Sequence, residues 1–208
     1  MKQREKTKQS CDKILKAAVA EFGAKGYKAA SLNTICRENQ ISKGLIYHNF
    51  KNKDALYLAC MKLCFQAITS HLQTSEYRTE NVKTSIQNYL RLRQAFFLEY
   101  PDYSSLFFQA LLDPPDHLRS EIDAIRHEFD RCNAACYKEL LEQIPLRDGI
   151  TKELALEYFT LFQEMFHGYF QKKALESHDV HALAEEHEMN LTKILDYMLY
   201  GIAKEELS

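Results

Sequence analysis

Residues 26–56, GYKAASLNTICRENQISKGLIYHNFKNKDAL, carry the side chains from which a chemistry can be read. Leu45, Ile46 and Phe50 recur at helical spacing behind Ser42, so a short helix that buries them turns Lys43, Gly44, Tyr47, His48 and Asn49 the other way. An ammonium, a phenol, an imidazole and an amide on one small face suit phosphate oxygens and base edges, and Lys51 and Lys53 at the start of the next helix suit phosphate. Bond-making chemistry is not expected. No second ligand stands near His48, and no paired acids, nucleophile with a base, or phosphate loop occurs at a recognisable spacing. The chain therefore reads as a binder, not an enzyme, with no cofactor and no metal.

The elements that must hold this face follow from the flanking residues. Ser31 is placed to cap one short helix whose inward face is Leu32, Ile35 and Cys36, and Ser42 caps the next. Asn39-Gln40 interrupts the two. Two helices across a tight turn, the second showing a polar surface, fit a helix-turn-helix that lays its second helix in a major groove. Upstream, Ile14, Leu15, Ala18 and Phe22 mark a bracing helix that Gly23 to Gly26 should end, and residues 1–8 read as a frayed basic arm. Downstream, a long helix from about Asn52 to Leu72 leaves this head and enters the rest of the chain, so it can transmit a movement.

Phe22, Gly26-Tyr27, Ser31, Ile35, Ser42-Lys43-Gly44, Tyr47-His48-Asn49-Phe50 and Lys53-Asp54-Ala55-Leu56 stand together at fixed offsets. Through them, roughly residues 8–65 resemble the DNA-binding domain of the TetR family of transcriptional regulators. The resemblance implies an all-α fold: a three-helix DNA-binding domain over 1–51 and a larger helical ligand-binding and dimerisation domain over 52–208. It also implies a homodimer on a pseudo-palindromic double-stranded DNA operator, usually as a repressor that a small molecule releases. The expected DNA contacts, by position in the motif, are Ser31, Ser42, Lys43, Gly44, Tyr47, His48, Asn49 and Lys53, with Gly44 small so that the helix can approach the duplex. Two departures stand out. Gln40 occupies a turn position where the family generally has Gly, so a non-Gly residue adopts unusual dihedrals or the turn differs. Leu45 replaces a common Thr and removes one possible phosphate contact.

Charge supports the same division. The net charge of −2 conceals a head, residues 1–55, at +7 and a remainder at −9, the electrostatic pattern of a chain that meets a polyanion at one end only. No apolar run approaches the roughly 20 residues that span a bilayer, and MKQREKTKQSCDK lacks the apolar segment of a secretion signal. Six scattered cysteines do not form a disulfide framework. The expected setting is cytoplasmic and reducing, without a membrane.

Beyond residue 80 helical periodicity continues, with breaks at Pro101, at Asp113-Pro114-Pro115 and over Pro145 to Gly149. The family implies a small-molecule pocket here, for a hydrophobic or aromatic effector, and the candidate lining is Arg93, Phe96, Phe97, Tyr100, Tyr103, Phe107, Phe129, Phe162 and Phe166, with Phe108 and Tyr169 among the same aromatics. Arg93 lies among apolar positions, and either meets an anionic ligand or pairs with a carboxylate such as Glu99 or Glu164. The last two helices are apolar over much of their circumference, and the resemblance assigns Leu161, Met165, Tyr169, Leu191, Ile194, Leu195 and Met198 to a four-helix dimer interface. Cys60/Cys64 and Cys132/Cys136 read as buried inert thiols, and His178, His181, Glu185 and His187 as a surface cluster instead of a metal site. The rival readings are an interaction or thiol-sensing module with weakened DNA binding, and a helical enzyme acting on a small molecule.

Overall fold

In the computed structural model the backbone is described for residues 2–177 and 179–202, and the side chains for the same residues apart from 2–6, 181 and 200. The helices are α1 (Lys2–Ala29), α2 (Leu32–Asn39), α3 (Lys43–Asn49), α4 (Lys53–Thr74), α5 (Val82–Glu99), α6 (Pro101–Leu112), α7 (Arg119–Leu141), α8 (Lys152–Glu176) and α9 (Val180–Ile202). A 3-10 turn, Asp116–Leu118, leads into α7. No strand occurs among the described residues, so the fold is all-α.

Local sequence sets most boundaries. The side chains of Ser31, Ser42, Asn52, Asn81 and Thr151 accept hydrogen bonds from Asn33 N, Leu45 N, Ala55 N, Thr84 N and Leu154 N, each satisfying an otherwise orphaned amide of a first turn. Pro101, which cannot donate, opens α6 at a position where no donor is needed. One expectation is corrected: residues 2–8 are not a frayed arm but the first turns of α1. Within the expected stop, Gly23 to Gly26, the backbone stays helical through Gly23 and breaks at Gly26, whose φ of 71° and ψ of 172° suit only glycine.

The core forms around α4, which packs on α1, α5, α6 and α7. Leu56, Tyr57, Cys60, Met61, Cys64, Phe65, Ile68 and Leu72 are all buried along it. At 22 residues it spans roughly 33 Å, enough to begin under the head and end inside the trunk. In the head, fully buried Phe22 meets Tyr57 edge-on at 5.0 Å between ring centroids. Ile35 and Ile46 seal α2 and α3 beneath. α1 also lies directly on α6: a Cβ at Gly23 would sit 3.1 Å from Asp102 O, a backbone atom that cannot swing aside. The bracing helix is thus held by head and trunk together.

Candidate nucleic-acid interface and trunk cavity

The turn between α2 and α3 has the geometry that the sequence left open. Gln40 adopts left-handed dihedrals (φ 52°, ψ 47°), and its amide and that of Ile41 both reach Cys36 O. Ile41 is buried after the turn while Gln40 is exposed. The familiar turn is therefore kept, with a non-glycine residue in it.

That turn aims α3 so that Ile46 is buried and Lys43, Gly44, Tyr47 and His48 are exposed. Nothing lies within 4 Å of where a Cβ at Gly44 would stand, so the only consequence of a larger side chain there is outward. Asn49 is half-buried and its Nδ2 donates to Leu45 O at 2.8 Å, closing the helix end. Ser31 and Ser42 are engaged as caps but remain at the rim of the same surface.

Lys53 is half-buried, with Nζ 4.7 Å from the centroid of the Tyr27 ring and 3.4 Å from Lys28 O. Burial lowers its pKa, against the pull of Asp54 and Glu21. The Tyr27 hydroxyl donates to Asp54 Oδ1 and lies 3.3 Å from His117 Nε2, which is itself 3.5 Å from Asp54 Oδ1. The hydrogen bond from Tyr27 holds the Asp54 carboxyl below its ordinary value, while burial and then Asp54 push the Tyr27 phenol up to about 12. This cluster ties the N-terminus of α4 to the start of α7. Sequence reasoning missed it, along with buried Glu21, whose Oε1 accepts from Ser31 N at 3.0 Å and whose carboxylate pairs with Lys25.

In the trunk a cavity of about 60 Å³ runs between α5, α6, α7, α8 and α9. Of the expected lining, Arg93, Phe107, Phe129, Phe162 and Phe166 face it. Phe96, Phe97, Tyr100 and Tyr103 do not. Phe96, Tyr100 and Tyr103 stack on one another at the α5–α6 corner, where Tyr100 is exposed and Tyr103 faces α1 and α4; Phe97 packs on Phe107 and Phe108 from outside the cavity. Two reasons apply: Phe96 and Phe97 sit on sides of α5 turned to His71 of α4 and to Phe108 of α6, and Tyr100 and Tyr103 lie beyond the end of α5, where Pro101 opens α6. The sequence did not pick out the cavity's other walls, which include Tyr89, Tyr137, Phe159 and Leu195.

The partner expected for Arg93 is also corrected. Its Nη2 donates to Glu188 Oε1 at 2.8 Å, not to Glu99 or Glu164. His187 is fully buried beside Glu188, with Nδ1 3.1 Å from the same carboxylate oxygen, so it belongs to no surface cluster. His178 and the side chain of His181 lie outside the described residues. The His187 ring stacks 5.8 Å from that of His167. Burial, then His187, Arg126 and Arg93, push the His167 imidazole down to about 3. Glu188 is held below its ordinary value although burial alone would raise it, because Arg93 and His187 face it. The signal was in the spacing: Leu183, His187 and Leu191 are each four apart on one helix face.

On the outer face of α8, Leu161, Met165 and Tyr169 are exposed together with Tyr158, Met165 by 67% and Tyr169 by 56%. Ile194, Leu195 and Met198 are half-buried. Leu191 is a correction: at 8% exposure it lines the cavity and faces the protomer's own core. The cysteines agree with the inert reading in that Cys60, Cys64 and Cys136 are buried, and burial raises all three thiols, Cys60 to about 12 and Cys136 to about 11. No described helix is long and apolar enough to cross a membrane.

Comparison with known proteins bears on the head and on the whole fold. Residues 14–60 match the family model described as bacterial regulatory proteins, tetR family. The biofilm operon icaADBC negative transcriptional regulator IcaR of Staphylococcus epidermidis is 27% identical over 158 residues, 75% of this chain and 81% of that protein. The TetR-family transcriptional regulator from Agrobacterium tumefaciens superposes with a TM-score of 0.61 at 17% identity, covering 90% of this chain and 97% of that one. FadR from Bacillus subtilis, solved in complex with stearoyl-CoA, gives a TM-score of 0.55 at 16% identity over 86% and 96%. With a helix-turn-helix head on a helical trunk, the chain is similar to TetR-family transcriptional regulators, by sequence in residues 14–60 and by fold along most of its length.

Proposed function

We propose that this protein is a homodimeric, effector-responsive repressor whose α3 enters a major groove of a pseudo-palindromic operator. The division falls near residue 51, with the DNA-binding head before it and the effector-binding and dimerisation trunk after it. The observation that carries this reading is the bare, polar outer face of α3, Lys43, Gly44, Tyr47 and His48, on a head of +7 formal charge. Lys43, Tyr47, His48 and Lys53, with the rim serines 31 and 42, serve phosphate and groove contacts. The arrangement of Asn49 favours a role in closing α3 over one in reading a base. Two protomers pair through the exposed stripe of α8 with Ile194 and Met198 of α9, Leu195 facing the cavity as Leu191 does, which spaces the two recognition helices about one turn of DNA apart or a multiple of it. The effector occupies the trunk cavity, which is now too small for more than a few atoms. An effector that widens it lowers operator affinity only if it binds the DNA-incompetent arrangement more tightly.

The test is selection of bound fragments from random duplex DNA, followed by fluorescence anisotropy across a salt series. A two-fold motif and a log–log slope steeper than about −5 are expected, and Lys43→Ala should weaken every sequence alike while reducing that slope by about 2, one for each protomer. A flat salt response, or unchanged binding in Tyr47→Ala and Lys43→Ala, overturns the reading.

A further inference from the structure

The trunk cavity has two chemically different ends. Along α5, Arg93 and Ile86 are seven residues apart, a rise of roughly 10 Å. Arg93, Arg126 and His167 line one end together with Asp130, and the Arg93 guanidinium lies 5.8 Å from the ring of Phe129, three residues along α7 from Arg126. Largely apolar walls fill the other, where Tyr137 stacks on Phe159 at 3.9 Å and, among the described residues, its buried hydroxyl has no hydrogen-bond partner.

At the polar end the pairing is incomplete. Arg126 has its own carboxylate, Asp130, at 2.9 Å. Arg93 is only 6% exposed and lines the cavity, yet a single nitrogen, Nη2, reaches Glu188, and among the described residues its Nε is buried without a hydrogen-bond partner. Phe97, Phe107 and Phe129 face the guanidinium at 5.2–5.8 Å and offer only ring faces. A buried N–H on a cation left without an acceptor is costly. A guanidinium fork with one edge used and the other open is the shape that a carboxylate completes.

We propose that the trunk cavity takes an amphipathic organic acid, its carboxylate bound by the open edge of Arg93 and its hydrocarbon or aromatic body laid along the apolar walls towards Tyr137. This rests on reading the cavity as the effector site. A neutral ligand could offer the Arg93 donor only an uncharged acceptor, and an ammonium offers none. Both are disfavoured relative to a carboxylate of the same body.

Calorimetric titration of the full-length protein tests it, with hexanoate, decanoate, palmitate and 2-naphthoate against decan-1-ol and decyltrimethylammonium. Decanoate should bind about 10- to 100-fold more tightly than decanol, the range expected of a charge-assisted hydrogen bond, and the ammonium should not bind. Because Arg93→Gln strands Glu188 without its partner, the double variant Arg93→Gln/Glu188→Gln is used, with circular dichroism as the check on folding. It should bring decanoate within about threefold of decanol, and Arg93→Lys should retain part of the preference. Equal binding of acid and alcohol by the wild type, a folded double variant that keeps the preference, or no binding of any carboxylate overturns the inference. The wild-type comparison decides it even if the variants do not fold. Measuring DNA affinity in parallel separates the two claims: decanoate bound through Arg93 with no change in operator affinity keeps the acid site and removes its role as effector site.

Discussion

Replacing Gln40 by glycine should stabilise the protein. Gln40 is exposed, and the turn is held by main-chain bonds to Cys36 O that any residue can make, so the substitution acts through the backbone alone. At φ 52° and ψ 47° a residue with a Cβ carries a strain of about 1–2 kcal/mol, which glycine relieves. Glycine also gives the unfolded chain more freedom, which offsets about 0.4–1 kcal/mol. The net gain expected for Gln40→Gly is about 0.5–1 kcal/mol, a rise in Tm of about 1–4 °C for a chain of this size. Gln40→Ala should be neutral, since it keeps the Cβ. Gln40→Val adds a β-branch to the left-handed region and should cost at least about 1 kcal/mol. Urea and thermal denaturation followed by circular dichroism give the order Gly, then Gln with Ala, then Val. A Gly variant no more stable than wild type, beside a Val variant that equals it, would refute the left-handed turn and with it the present orientation of α3.

Three further outcomes follow from other parts of the molecule. Met165→Glu or Tyr169→Glu sets a charge in the exposed stripe of α8; if this stripe is the dimer centre, association should weaken by about 100-fold or more, and an unchanged sedimentation coefficient would remove α8 from the interface. His167, pushed down to about 3 chiefly by burial, stays neutral in the folded state while the unfolded imidazole takes up a proton near 6.5. Its contribution to stability is therefore complete above about pH 6.5 and lost as pH falls towards 3, so the urea midpoint of His167→Phe should fall less between pH 7 and 5 than that of wild type. Gln109 Nε2 donates to Phe22 O at 3.2 Å and Gly23 O at 3.3 Å. Gln109→Leu removes these two side-chain bonds at a cost of about 0.5–1.5 kcal/mol, and hydrogen exchange at amides around residues 22–26 should accelerate while α7 is unaffected; equal acceleration throughout would mean global destabilisation and no local clasp.

The head was legible because its information is local. Ser31 and Ser42 cap where cap residues should, Ile35 and Ile46 mark the buried sides of two short helices, and what remains is the outward face. The trunk was legible only as a set of helices. Periodicity assigns Arg93 and Phe107 to buried faces, but which buried face meets which helix depends on crossing geometry that no spacing encodes. Aromatic content therefore drew Phe96, Tyr100 and Tyr103 into the expected pocket, when Pro101 had already ended the α5 face before Tyr100 and Tyr103, and Phe96 faces His71 of α4. Glu188 as partner to Arg93 could not be reached by local reasoning, because 95 residues separate the two. His187 could have been. Its place between Leu183 and Leu191 put an imidazole in the apolar stripe of α9, where burial is the default and exposure would need the explanation.

The position of α6 joins these halves. It supplies Phe107 and Leu111 to the cavity wall, and two residues from each of them Gln109 grips the carbonyls that end the α1 turn carrying Phe22. Gly23 allows α1 to lie against the backbone of Asp102 at the opening turn of the same helix. A side chain between two helices can absorb a small displacement by changing rotamer; backbone against backbone cannot. The walls of a cavity of about 60 Å³ must part for any effector larger than a few atoms. Where the wall that parts is α6, its movement reaches α1 with little loss, and through Phe22 and Tyr57 it reaches α4 and the seat of α3. In the proposed dimer, the same contacts would make the orientation of the head, and so the spacing of two heads on DNA, dependent on what fills the cavity.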